Sequence, residues 1–233
     1  MSSTPRKENS SAAIAYARML DDIRNGTLQA GDRVTETELA SRLELSRTPV
    51  REAIRMLEVD GLVEHVPRVG ATIRKLGYAE VMELYDMRAV LEGTAARMAA
   101  RTASDIELAE LEALNADMVA CDDLPQAYHL NRQFHLTLLD AAKNRFLIKA
   151  MAGLQKTLLI LGPIILSDPT RAADSVTEHE AILRALRDRD ADAAEAAMRT
   201  HIEAGHRQRL RLLRAERRVA PQAEDVLAEA FRD

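Results

Sequence analysis

The chain of 233 residues has no tryptophan, four tyrosines and three phenylalanines, so aromatics make up only 3% of it. Its 47% hydrophobic share is carried instead by Ala, Leu, Ile, Val and Met, a composition that favours packed helices over large sheets. The single cysteine, Cys121, excludes an intrachain disulfide. No apolar run approaches the roughly 20 residues of a membrane span, and the opening MSSTPRKENSS lacks the apolar stretch of a secretory signal. A cytoplasmic protein with no membrane partner is expected. Excess positive charge is lacking as well: residues 1–75 hold 12 Lys and Arg against 11 Asp and Glu, and the remainder 20 against 26. Any binding of nucleic acid must therefore rest on a local surface.

The length suits two domains. Residues 1–10 are polar and without period, and are expected to be disordered. A helix reads from Ser11 to Asn25, stopped by Asn25-Gly26. Thr35-Glu-Thr-Glu38 has the form of a capping box before a short helix. Thr48 as N-cap and Pro49 as the first helical residue launch a third helix, VREAIRMLEVD, which Gly61 ends. The stretch LVEHVPRVGATIRKL alternates β-formers about a Pro67/Gly70 turn. Three helices and a hairpin over 11–75 predict a winged helix-turn-helix. No second β signal follows. Helices are predicted near 78–101, 105–121, 125–142, 145–166, 171–189 and 192–217, joined by short connections that make neighbours antiparallel. The fold class is mainly α, with an all-α antiparallel bundle over 76–218 and a loosely attached tail over 219–233.

In SRTPVREAIRMLEVDGLVE, Val50, Ile54, Leu57 and Val59 can hold the helix to its neighbours, leaving Arg47, Thr48 and Arg51 at the leading edge. An arginine there can grip guanine O6 and N7 in the major groove. Ser46 and Thr48 carry short hydroxyls suited to phosphate, and Arg68 at the hairpin tip can enter or flank the minor groove. Taken singly, these arginines are more often a solvated face paired with Glu52 and Glu58.

The whole stretch from DDIRNGTLQAGDRV through TELASRL and SRTPVREA to DGLVEHVPRVGATI resembles the N-terminal domain of the GntR family of bacterial transcription regulators. The resemblance implies binding to a palindromic operator in double-stranded DNA as a homodimer, with Thr37, Ser46, Arg47, Thr48, Arg51, Arg68 and Gly70 at the DNA. Many members carry arginine where this sequence has Thr37, which can touch phosphate but is a poor base reader.

In the helical half, Tyr128, Asn131, His135, Leu138 and Ala142 follow spacings of three and four. So do Val176, His179, Leu183 and Leu186, and likewise Ala194, Met198, His201 and Gly205. Three helices thus point a histidine inward, while His65, His129 and His206 lie off these faces. One buried histidine is more often a satisfied core residue than a ligand. Three in one interior would each need a partner, and one divalent cation, such as Zn or Ni, satisfies all three, with Asn131 adding an amide oxygen. Arg88 interrupts the stripe Leu84, Leu91, Ala95, Met98. Its head either snorkels out or pairs with Glu92, or else it faces the metal cavity and receives a carboxylate.

The segments DMRAVLEGTAARMAA, NRQFHLTLLDAAKN, EHEAILRALRDRD and AMRTHIEA resemble the FCD effector domain of the FadR subfamily of GntR regulators, in its six-helix, VanR-like branch. The resemblance implies a metal held by Asn131, His135, His179 and His201, with Arg88 binding a small carboxylate metabolite. Asn131 stands where metal-binding members commonly carry Asp. The expected function is a ligand-responsive regulator, a repressor rather than an enzyme. The alternatives are a metal-dependent enzyme in the helical half and a DNA-binding protein whose effector site has decayed. The arginines of HRQRLRLLRAERR read as a solvated helix end.

Overall fold

The computed structural model describes the backbone of 5–162 and 168–219, and the side chains of 11–162 and 168–215. The expected tail lies outside this range beyond Val219, as do residues 1–4. The chain forms two compact units: residues 1–76 with 145–164, and residues 77–144 with 165–233.

The first unit opens with α1 (Pro5–Arg24), so 5–10, expected to be disordered, are helical. Proline fits this start because its missing N–H falls among the orphan donors of a first turn. Next come α2 (Glu36–Leu43) and α3 (Arg47–Val59). Thr35 caps α2 by accepting from the Glu38 backbone N–H at 3.3 Å, while the Glu38 carboxylate takes the Thr35 hydroxyl rather than a backbone N–H. Ser46 is the N-cap of α3, two residues earlier than the expected Thr48. Pro49 still lies in the first turn, where its absent N–H breaks no helical bond. Val50, Ala53, Ile54 and Leu57 form the buried stripe, whereas Val59 is 88% exposed.

The wing pairs β1 (Val63–Val66) with β2 (Gly70–Ile73) in antiparallel register, Val63 opposite Ile73. Later in the chain, α7 (Arg145–Ile160) adds Leu159 and Ile160 to the core that holds Met19, Ile23 and Leu57. Lys156 donates to Asp60 at 2.7 Å, and the Tyr16 hydroxyl donates to the same carboxylate. A helix expected within the 76–218 bundle therefore packs in the unit of the winged motif. Its predicted last residues, 163–166, lie outside the described range.

The second unit comprises α4 (Tyr78–Thr102), α5 (Asp105–Val119), α6 (Leu124–Ala141), α8 (Pro169–Arg187) and α9 (Ala191–Val219). Helix α4 packs on α9, α6 and α8, and α8 on α9 and α5. Gly93 permits the α4–α9 approach: a Cβ there would meet the Arg199 stem at 3.0 Å. Ser104 and Glu107 form the expected reciprocal capping box of α5, with Ser104 N–H to Glu107 Oε2 at 2.9 Å. Asp168 caps α8 through Thr170 N–H at 2.9 Å.

Candidate functional site

In the first unit the exposed leading edge of α3 carries Arg47, Thr48 and Arg51, with Ser46 just before it and Thr37 exposed on α2. The Ser46 hydroxyl makes no capping bond. Glu36 ties the edge together: its carboxylate accepts from Arg51 Nε at 2.6 Å and Nη2 at 2.8 Å, and from Arg47 Nη2 at 3.1 Å. The hydrogen bond from Arg51 above all, aided by Arg47, pulls Glu36 down to about 2. A groove of about 360 Å³ beside it is lined by Glu36, Arg51, Arg55, Glu58 and His65. Arg68 stands at the hairpin tip with φ +66, and Gly70 at φ +102 provides the left-handed backbone that starts β2. Glu36, which organises both arginines, was absent from the sequence expectation. Its only sequence signal is a position one turn before Ala40 on α2.

In the second unit His135 of α6, His179 of α8 and His201 of α9 come together, with one ring nitrogen from each within 4.8 Å of the others. His179 is fully buried, His201 is 5% exposed, and the His135 side chain is 11% exposed. Each Nδ1 is taken by an outer partner: His135 by Glu92 Oε2 at 2.5 Å, His179 by Asn115 Oδ1 at 3.1 Å, and His201 by Glu178 Oε2 at 2.7 Å. Phe134 stacks on His179 with centroids 3.9 Å apart.

The outer partners settle the tautomers. Burial pushes Glu92 up, but the Arg88 guanidinium and then His135 hold it well below the usual carboxylate range. An ionised Glu92 can only accept, so His135 Nδ1 carries the proton. Burial pushes Glu178 up while the Arg171 guanidinium pulls it down; as a carboxylate, its Oε2 accepts from Arg171 Nη2 and from His201 Nδ1, both at 2.7 Å. Neutral rings therefore turn bare Nε2 lone pairs inward. Burial first, then neighbouring charge, drives His179 and His201 far below the ordinary histidine value and keeps them neutral. His135 Nε2 and His201 Nε2 lie 3.0 Å apart. Two lone pairs at that distance repel unless a positive charge lies between them. His179 Nε2 and Asn131 Oδ1 are buried without a hydrogen-bond partner.

Arg88 donates Nε–H to Glu92 Oε1 at 2.7 Å and its guanidinium lies 5.1 Å over the Tyr85 ring. The Glu92 pairing weighed from sequence is thus present, and the same carboxylate orients His135. Arg88, Arg132 and Arg209 all act on Tyr128, whose hydroxyl is raised by burial against their pull. Arg209, expected in a solvated helix end, is 4% exposed. Asn115 had no sequence signal beyond a polar residue on a buried face. Glu178 adjoins His179 but serves His201, which spacing along one helix could not reveal.

The chain matches the GntR family of bacterial regulatory proteins over residues 12–73 and the FCD domain over residues 83–204. It is 31% identical to the Nta operon transcriptional regulator of Aminobacter aminovorans over 186 residues, 79% of this chain and 87% of that one. It is 27% identical to the HTH-type transcriptional repressor RspR of Escherichia coli K12 over 81% of this chain and 84% of that one. Its fold is similar to that of a GntR transcriptional regulator structure from Rhodococcus sp. RHA1, with a TM-score of 0.76 and 24% identity over 86% of this chain and 98% of that one. No helix among the described residues is long and apolar enough to cross a membrane. The chain belongs to the GntR family of bacterial transcription regulators, with an FCD domain after its winged helix-turn-helix, and is a regulator rather than an enzyme.

Proposed function

We propose that this regulator is a repressor that binds a palindromic operator as a homodimer and responds to a small carboxylate bound beside a divalent metal. Residues 11–75 read DNA, and the second unit, without α7, holds the effector site. Arg47 and Arg51 take base edges or phosphates, Ser46, Thr48 and Thr37 take phosphates, and Arg68 with Gly70 places the wing against the minor groove. Two copies present two α3 helices to half-sites about 34 Å apart. The name of RspR as a repressor supports the sign of the response.

One observation carries the sensor reading: three buried imidazoles whose Nδ1 atoms are all engaged outward while their Nε2 atoms face one another. That arrangement fits a metal centre, because metal-bound histidines donate their other ring N–H to an oxygen that fixes the tautomer. The 3.0 Å gap between His135 and His201 Nε2 is short enough for both to reach one ion at about 2.1 Å, and His179, whose ligand atom lies within 4.8 Å of theirs, would close on it by a small ring shift. His135, His179, His201 and the unpartnered Asn131 Oδ1 would hold the metal, Zn or Ni by the preference of neutral imidazole. When bound, the metal supplies a Lewis-acidic position for one carboxylate oxygen. Arg88, kept charged and oriented by Glu92, supplies the complementary cation. Catalysis is disfavoured because, of the two bases that flank His179, Glu178 is engaged by Arg171 and His201 and Glu180 is exposed.

The test is operator binding by the metal-loaded full chain, using a duplex selected from a random pool, with and without added carboxylates. Weakened binding in the presence of a carboxylate, abolished by Arg88→Gln, is expected. A carboxylate that changes neither operator affinity nor Tm would instead favour the decayed-site reading.

A further inference from the structure

Two buried polar side chains of α8 are left over once the histidine contacts are assigned. Arg171 is 6% exposed and Ser175 is 1% exposed. Arg171 spends Nη2 on Glu178, but its Nε and Nη1 have no partner, and neither has Ser175 Oγ. Guanidinium N–H groups withdrawn from water without an acceptor are costly. Arg171, Ser175 and His179 are spaced by four, so they share one helix face. The unpartnered donors therefore sit along the same stripe as the unpartnered His179 Nε2.

Two carboxylates link arginines to the histidines: Glu92 accepts from Arg88 and from His135, and Glu178 from Arg171 and from His201. A monocarboxylate held at Arg88 would leave the α8 donors bare. A ligand with a second anionic end would satisfy them.

Building on the metal-and-carboxylate reading above, we propose that the effector is a dianion, a short dicarboxylate whose second carboxylate is received by Arg171 and Ser175. Ser175 and His179 lie one helical turn, about 6 Å, apart, a gap that a chain of roughly four to six carbons bridges. Glu178 keeps Arg171 extended along the stripe while it orients His201, so one carboxylate serves both ends of the ligand.

Calorimetric titration of the zinc-loaded full chain with butyrate, succinate, glutarate and adipate tests this. A diacid should bind at least about tenfold tighter than butyrate, as expected for an added charge-assisted contact. Ser175→Ala and Arg171→Gln should each erode that advantage, with zinc content measured in every variant. Ser175→Ala removes a hydroxyl that holds nothing else, so its effect does not pass through His201. Butyrate binding as tightly as every diacid, or both variants weakening mono- and diacids equally, overturns the dianion alone. No binding of any acid by the zinc-loaded protein overturns the sensor reading and the dianion with it.

Discussion

Arg51 and Arg88 each hold a glutamate, yet the first pair stands in water and the second lies under the surface, with arginine side-chain exposures of 48% and 13%. The Arg51–Glu36 pair adds little stability, as exposed pairs do, so exchanging Glu36 for the proposed phosphate or base partner would cost little. The Arg88–Glu92 pair is enclosed and continues into His135, so breaking it leaves a buried charge uncompensated. The same residue types therefore do different work. At the winged end they form an exchangeable surface, and in the bundle they fix the direction in which imidazole lone pairs point.

The comparison is broken most severely by emptying the core behind the histidines. Phe134→Ala, at a fully buried ring stacked on His179, should cost about 3–5 kcal/mol, read as a lower denaturation midpoint with reduced metal retention. Chelating the proposed metal comes next. An ion present at about 1,000 times its Kd adds about 4 kcal/mol, so its removal should lower Tm by roughly 10 °C in the wild type and by far less in His201→Ala. At the exposed end, Arg51→Ala should weaken operator binding by about 1–3 kcal/mol, measured by anisotropy, while metal content and Tm stay unchanged. Loss of both would mean misfolding. Asn131→Asp should tighten metal retention by about tenfold in competition with a chelator, because it adds a negative charge to the ligand set; equal affinity would remove Asn131 from that set.

The smallest effect concerns pH. Glu36 is depressed from 4.5 to about 2, first by its hydrogen bond from Arg51. A carboxyl with a lowered folded value contributes stability above its unfolded pKa and loses it as pH falls through the folded one. The contribution of Glu36 should thus fade between about 4.5 and 2, visible as an NMR titration midpoint near the lower bound. Arg51→Ala should move that midpoint upward.

The two ends also differed in how far the sequence disclosed them. The residues proposed to read DNA are contiguous at the start of one helix, so SRTPVREA exposes Arg47 and Arg51 to inspection. Even there Glu36 was hidden, because its link to Arg51 crosses from α2 to α3. The histidines could be found because each interrupts an apolar period on its own helix. Their partners could not be: Glu92 reaches from α4 to α6, Asn115 from α5 to α8, and Glu178 from α8 to α9. Periodicity gives a face to each residue but not the neighbour opposite that face. Arg209 shows the same limit, reading as one of six arginines in a solvated helix end and lying buried. The packing of α7 with the winged motif likewise depends on Leu159 and Ile160 meeting Met19 and Ile23, a pairing distant in sequence.

Metal content of the purified full chain tests the central claim most directly. Element analysis after dialysis without chelator should find roughly one zinc or nickel ion per chain, and His179→Ala and His201→Ala should each lose it while retaining operator binding. A wild type that stays metal-free after incubation with either ion, and whose Tm neither ion raises, would contradict the account.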